Sequence, residues 1–330
     1  MKFAASIGKR VALALACAAG LGLASPAAQA AWPERTVTIV VPFPAGGNTD
    51  TMARLAAEYL GQKLGQAFIV ENRPAGGGIV ASAQVARAPA DGYTLFFASA
   101  GQLVILPMLQ EVNYDAEKDF KAVSVFGIGP FVLGVKASTP AKTLDEFISY
   151  AKAHKEKINA ASAGVGSIGH LTAALFAKRA GFEAVFVPYR GGGPALNALV
   201  TGDVDMYFGN ASELISQKDG GKIRVLAVSN EKPMEQLPGV PPVASKFPGF
   251  KTSSWNGFLV AKDTPQEIID TLQKHVVAAS KDETIVNRLS ALGIEPGGPS
   301  GKEFQALIDS ERPVYREAIE AAGLKMPHQK

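Results

Sequence analysis

The sequence predicts an α/β protein of two lobes, each a mostly parallel sheet flanked by helices. Three observations carry that prediction. Short runs rich in Val, Ile and Phe alternate with amphipathic stretches along most of the chain, the pattern of buried strands joined by right-handed helical crossovers. Two glycine-rich segments, Pro42–Asn48 and Ala163–Gly169, each leave such a run and open a helix. Without its N-terminal leader the chain still has about 300 residues, more than one core usually serves.

The N-terminus has the composition of a leader. Lys2, Lys9 and Arg10 precede an apolar run from Val11 to Leu23, and Ala28-Gln29-Ala30 offers small residues for cleavage before Ala31. Residues 1–30 are therefore expected to be a Sec-type signal peptide, with the mature chain exported to the periplasm. The apolar run is shorter than the roughly 18–20 residues of a membrane span. The three basic residues of this segment account for the whole formal net charge of +3. The remainder is neutral, and nothing in it favours nucleic acid. The single cysteine, Cys17, also lies in the leader. The mature chain has no disulfide, no thiolate nucleophile and no cysteine metal ligand.

Val37–Val41 reads as a strand, and the first glycine loop leads from it into a helix over Met52–Leu64. Phe68–Val70, Thr94–Phe97, Ala122–Phe126 and Val132–Val135 are further buried strands. A helix over Leu144–His154 precedes a strand opening at Ile158, and the second glycine loop leads into a helix over Leu171–Ala180. Strands Ala184–Val187 and Arg224–Val228 flank a helix at Ala195–Val200. The last part is mostly helical, over Pro265–Ala279, Glu283–Leu292 and Gly301–Ala322, with Ser300 and Glu303 spaced as a capping box. The chain leaves the first lobe near Phe120–Pro130 and returns near Phe250–Trp255. Lobe one is thus expected to hold residues 31–130 and 251–330, and lobe two residues 131–250.

Helix starts carry unpaired N–H groups and partial positive charge, and glycine lets a ligand approach the backbone closely. Two such starts facing each other from opposite lobes would clamp an anion without any arginine. Metal and hydrolytic chemistry find little support. His154, His275 and His328 share no metal-ligand spacing, and the chain has no G-x-S-x-G elbow and no H-E-x-x-H.

The ordered set Pro42–Asp50, Val70–Gly78, Ala90–Leu95, Asn159–Ser162 with Gly166–His170, Val187–Gly192 and Leu237–Pro241 resembles the tripartite tricarboxylate transporter substrate-binding proteins, the Bug family. The resemblance covers essentially the whole mature chain. It implies a Venus-flytrap fold like that of periplasmic binding proteins, a small carboxylate ligand, delivery to a membrane permease, a monomer, no cofactor, no metal and no catalysis. The family grips its ligand between loops matching Phe43–Asp50 and Ser162–His170. Carried over by position, Phe43, Ala45, Gly46, Gly47 and Asn48 line the first loop, with Asp50 as its brace. Ser162, Ala163, Gly166, Ser167 and His170 line the second. Ser99 and Gln102 bring a third loop to the cleft, Gly192 opens another helix there, and Asn210 faces the distal end of the ligand. The family's usual Asp-Asn pair is here Gly209-Asn210. Trp255 and Tyr189 are read as packing or hinge residues.

Two other functions use the same features. Gly164-Val165-Gly166-Ser167-Ile168-Gly169 satisfies the dinucleotide fingerprint, and Arg190 stands where an NADP-dependent oxidoreductase could hold a 2′-phosphate. No acid–base pair accompanies that loop. A periplasmic sensor would use identical ligand loops but signal to a different partner.

Overall fold

The computed structural model describes residues 32–154 and 156–327. The signal-peptide reading, Cys17 and His328 lie outside the described residues. The described residues from Arg35 onward form one compact unit.

The strands are β1 Val37–Val41, β2 Phe68–Asn72, β3 Thr94–Ala98, β4 Phe120–Lys136, β5 Ile158–Ser162, β6 Ala184–Pro188, β7 Met206–Asn210, β8 Ile223–Val228, β9 Ser253–Ala261 and β10 Glu295–Pro296. Their order is β2-β1-β3-β9-β4-β7-β5-β6, with β8 and β10 also pairing with β4. In one half β2, β1 and β3 run parallel, Ile39 lying opposite Val70 and Leu95. In the other half β6, β5 and β7 run parallel, Ala161 lying opposite Val187 and Tyr207. Helices Asn48–Leu64, Ile79–Ala86, Ile168–Ala180 and Gly192–Thr201 make the crossovers. This is the expected α/β architecture, with one change of detail. The strands that carry the chain between the halves run antiparallel to their neighbours, so each half is a mixed sheet with a three-stranded parallel part.

β4 joins the halves. Its 17 residues pair with β9 over Phe120–Pro130 and then with β7 and β8 from Phe131 to Lys136. The sequence suggests two strands here, Ala122–Phe126 and Val132–Val135. The strand runs on because proline, which has no N–H, sits where one ladder ends and the next begins. The next amide, Phe131 N–H, leaves the ladder and donates to Ser229 Oγ at 2.8 Å.

The helix Gly301–Ala321 opens with the expected capping box of Ser300 and Glu303. It lies across the crossing. Phe304 meets Trp255 edge-to-face at 5.0 Å, Tyr315 O–H donates to Ser253 O at 3.3 Å, and Glu317 pairs with Arg179 on the helix Ile168–Ala180 at 2.9 Å. Trp255, Phe304 and Tyr315 belong to one apolar cluster that also holds Phe96 and Phe208, so the core is continuous through the crossing. Each such fully buried side chain contributes about 1.5–3 kcal/mol. Trp255 is accordingly a packing residue at the crossing.

Candidate functional site

Both sets of parallel strands end at the crossing. Asn210, the last residue of β7, pairs with Phe131, and Ala98, the last of β3, pairs with Gly257 two residues from Trp255. The loops that follow β1, β3, β5, β6 and β7 therefore gather where the halves meet, at the carboxyl ends of the strands, where α/β folds bind ligands.

The first loop is pinned from below. Asp50 is buried, and its carboxylate accepts from Gly46 N–H, Arg54 Nε and Asn72 Nδ2, each at 2.9 Å. Asn72 also donates to Phe43 O at 3.1 Å. Burial alone would raise the Asp50 pKa, but the hydrogen bonds from Arg54, Gly46 and Asn72 together hold it below its ordinary value. Asp50 is thus the brace the sequence implied. Gly46 has φ +84°, which favours glycine. Gly47 is the N-cap of the helix Asn48–Leu64 without any side-chain cap. Ala45, Gly46 and Gly47 are exposed, and Phe43 and Asn48 are half-buried. A ligand can therefore reach the amides of this helix start. Thr49 ties the same turn to the crossing by donating to Asn256 Oδ1 of β9 at 3.1 Å.

The second loop braces itself differently. Ser167 is the N-cap of the helix Ile168–Ala180, its hydroxyl accepting from His170 N–H at 3.3 Å. That hydroxyl keeps its own proton for a ligand. Gly166 N–H donates to His170 Nδ1 at 3.0 Å, so the imidazole carries its proton on Nε2. Burial pushes the His170 pKa down to about 4, and the ring lies against Phe186. Nε2 is buried with no hydrogen-bond partner among the described residues. Ser162 is buried, donating to Gly164 O at 3.3 Å, whereas Ala163, Gly166 and Ser167 are half-buried and Val165 is exposed. Gly166 has φ +74°, and a Cβ there would come within 2.6 Å of Leu109 Cδ1. The loop thus touches the helix Leu106–Leu109 of the opposite half. With the Gly166 amide committed to His170 and Gly169 packed beneath Phe208, the fingerprint glycines of this loop serve its own fold.

Ser99 and Gln102 also turn inward. Both are buried; Ser99 Oγ donates to Gln102 Oε1 at 3.1 Å, and Gln102 Nε2 donates to Gly77 O at 3.0 Å. They brace the end of β3 against the Ala75–Gly78 turn. Gly192 and Asn210 come together, but around a residue the sequence reading missed. Asn210 Nδ2 donates to Glu213 Oε1 and Tyr207 O–H to Glu213 Oε2, both at 3.0 Å. A Cβ on Gly192 would overlap the Glu213 carboxylate. The available signal was an acidic residue three positions after a strand-ending Asn.

No group of three or more His, Cys, Asp and Glu among the described residues could hold a metal. No helix among them is long and apolar enough to cross a membrane. A cavity of about 520 Å³ lined by Pro107, Tyr114 and Arg312, and one of about 400 Å³ lined by Lys152, His154 and Phe182, include none of these loop residues.

Residues 52–324 match the model of the tripartite tricarboxylate transporter family receptor. Protein BugT of Bordetella pertussis is 31% identical over 308 residues, covering 92% of this chain and 94% of that protein. Among solved structures, R. palustris Rpa4515 with adipate superposes with a TM-score of 0.81 at 34% identity, over 89% of this chain and 99% of that one. MatC (Rpa3494) from Rhodopseudomonas palustris with bound malate gives 0.76 at 32%, over 87% and 100%. With the α/β fold, these likenesses place the chain in the tripartite tricarboxylate transporter receptor family, with the Bug proteins.

Proposed function

We propose that this chain is a periplasmic, monomeric, non-catalytic receptor that captures a small carboxylate between Phe43–Asp50 and Ser162–His170 and hands it to the membrane permease of a tripartite transporter. The observation that supports this reading is that both loops follow parallel strands ending where the two halves meet. One offers an uncapped, exposed helix start whose neighbouring acid, Asp50, already accepts from three donors, one of them the Arg54 guanidinium. The other offers the Ser167 hydroxyl at a second helix start. An anion there gains hydrogen bonds and favourable dipoles from both sides. The adipate and malate held by Rpa4515 and MatC support the ligand class.

Binding follows from closure about the crossing strands. A carboxylate that bridges both loops binds the closed arrangement better and shifts the population towards it. Thermal unfolding of the chain from Ala31 onward, against carboxylates, acidic amino acids, aromatic acids and NADP, tests the reading. A ligand at 100 times its dissociation constant adds about 2.7 kcal/mol of stability. A rise with a carboxylate supports it; a rise with NADP alone overturns it. Delivery is tested separately, by uptake of the identified ligand into vesicles holding the permease with and without the receptor.

A further inference from the structure

Glu213 belongs to neither loop, yet its carboxylate stands on the same edge of strand ends as the second loop. It opens from the short helix Ala211–Ile215 that follows β7, and β7 lies beside β5, whose end is Ser162. Four features fix its place. Tyr207 O–H and Asn210 Nδ2 donate to its two oxygens, each at 3.0 Å. Gly209, without a side chain, leaves room for the Tyr207 ring to pass beneath it, where a Cβ would overlap the ring. Gly192 likewise leaves room for the carboxylate itself at the start of the helix Gly192–Thr201. Finally, no lysine, arginine or histidine among the described residues forms an ion pair with Glu213, although Arg190 stands exposed on the adjoining loop. The chain therefore sets a carboxylate of its own beside this helix start, held by two neutral donors and without an ion-pair partner among the described residues.

We infer that Glu213 is the specificity-determining residue at the far side of the cleft, selecting a monoanionic carboxylate with a neutral or hydrogen-donating distal end and rejecting dicarboxylates. The inference rests on the carboxylate-receptor reading above. A second ligand carboxylate reaching Gly192 would meet a like charge and would have to displace the Glu213 carboxylate that lies against this glycine. A hydroxyl or ammonium group in the same place would instead donate to Glu213. Adipate and malate, held by the related Rpa4515 and MatC, are the kind of ligand this arrangement disfavours.

The test is calorimetric titration of wild type and Glu213→Gln with length-matched sets: aliphatic monoacids of three to eight carbons, the corresponding diacids, their ω-hydroxy and ω-amino derivatives, and benzoate against terephthalate. The amide keeps an acceptor for Tyr207 but has no charge. At least one monoacid or ω-substituted acid should bind wild type tenfold or more tightly than its matched diacid, and Glu213→Gln should narrow that ratio to threefold or less. A diacid that binds wild type as tightly as its monoacid partner overturns the inference without needing the variant. A preference that survives in Glu213→Gln removes the role from Glu213. If no carboxylate of any class binds wild type, the receptor reading itself fails and the inference falls with it, an outcome distinct from the other two.

Discussion

Glu311 offers a quantitative check on how the two halves are joined. It lies on the C-terminal helix against the first residues of β9, where the chain re-enters the first half. Trp255 Nε1 donates to its Oε2 at 2.7 Å, and Ser253 Oγ to its Oε1 at 3.5 Å. Tyr315 packs beside it with its hydroxyl on Ser253 O, and Lys251 supplies a more distant positive charge. Burial raises the Glu311 pKa to about 7 against an ordinary value of 4.5, the donors from Trp255 and Ser253 and the charge of Lys251 only partly opposing it. The folded state therefore holds this proton more tightly than the unfolded chain. The resulting stability is full below the unfolded pKa and is lost as pH rises through the folded one. The gap between 4.5 and about 7 corresponds to at most about 3.4 kcal/mol. Glu311→Gln keeps an acceptor for Trp255 and has no proton to lose. Urea unfolding of wild type and variant at pH 5, 6, 7 and 8 isolates the effect, because every other group cancels in the difference. The two proteins should differ by no more than about 1 kcal/mol at pH 5, with the variant ahead by about 3 kcal/mol at pH 8. A difference that does not change with pH would refute the reasoning.

Three further outcomes are expected. Asp50→Asn removes the charge that receives Arg54 and should cost about 1–3 kcal/mol at pH 7 in urea unfolding. Because the folded pKa of Asp50 lies below the unfolded one, that cost should fade as the pH falls through it. Ser167→Ala loses an N-cap worth about 1 kcal/mol of stability and a ligand hydrogen bond worth about 1–2 kcal/mol, read by titration; unchanged affinity would remove Ser167 from the contact set. Gly166→Ala places a Cβ against Leu109 at a positive φ and should destabilise the loop by about 1–3 kcal/mol. Adding Leu109→Ala should restore the steric part of that loss, and a strictly additive double variant would show that the loops do not touch across the cleft.

Much of this architecture was legible in the sequence because local rules and tertiary structure agree. The strand–loop–helix units around Gly46 and Gly166, the Ser300–Glu303 capping box and the bracing role of Asp50 all follow from spacing and from the chemistry of helix starts. Other features depend on partners far away in the chain. Ala122–Phe126 and Val132–Val135 read as two strands until β9 and Ser229 are placed beside them. Ser99 and Gln102 read as cleft-facing polar residues. The Ala75–Gly78 turn, which draws them inward, is joined to them only by the fold. Gly192 and Asn210 read as ligand donors because nothing local shows that Glu213 is already held there. Glu311 carries no local sign of burial; its environment is made by Trp255 and Ser253, more than fifty residues earlier.

The central claim is that one carboxylate bridges the two glycine loops. A crystal structure of the chain from Ala31 onward, grown with a carboxylate identified by the thermal screen, tests it most directly. Bridging requires the ligand oxygens, directly or through one water, to meet donors of Gly46–Asn48 on one side and of Ser162–Ser167 on the other, at about 2.7–3.2 Å per hydrogen bond. A carboxylate held by one loop only, or seated in the cavity beside Tyr114 and Arg312, would contradict it.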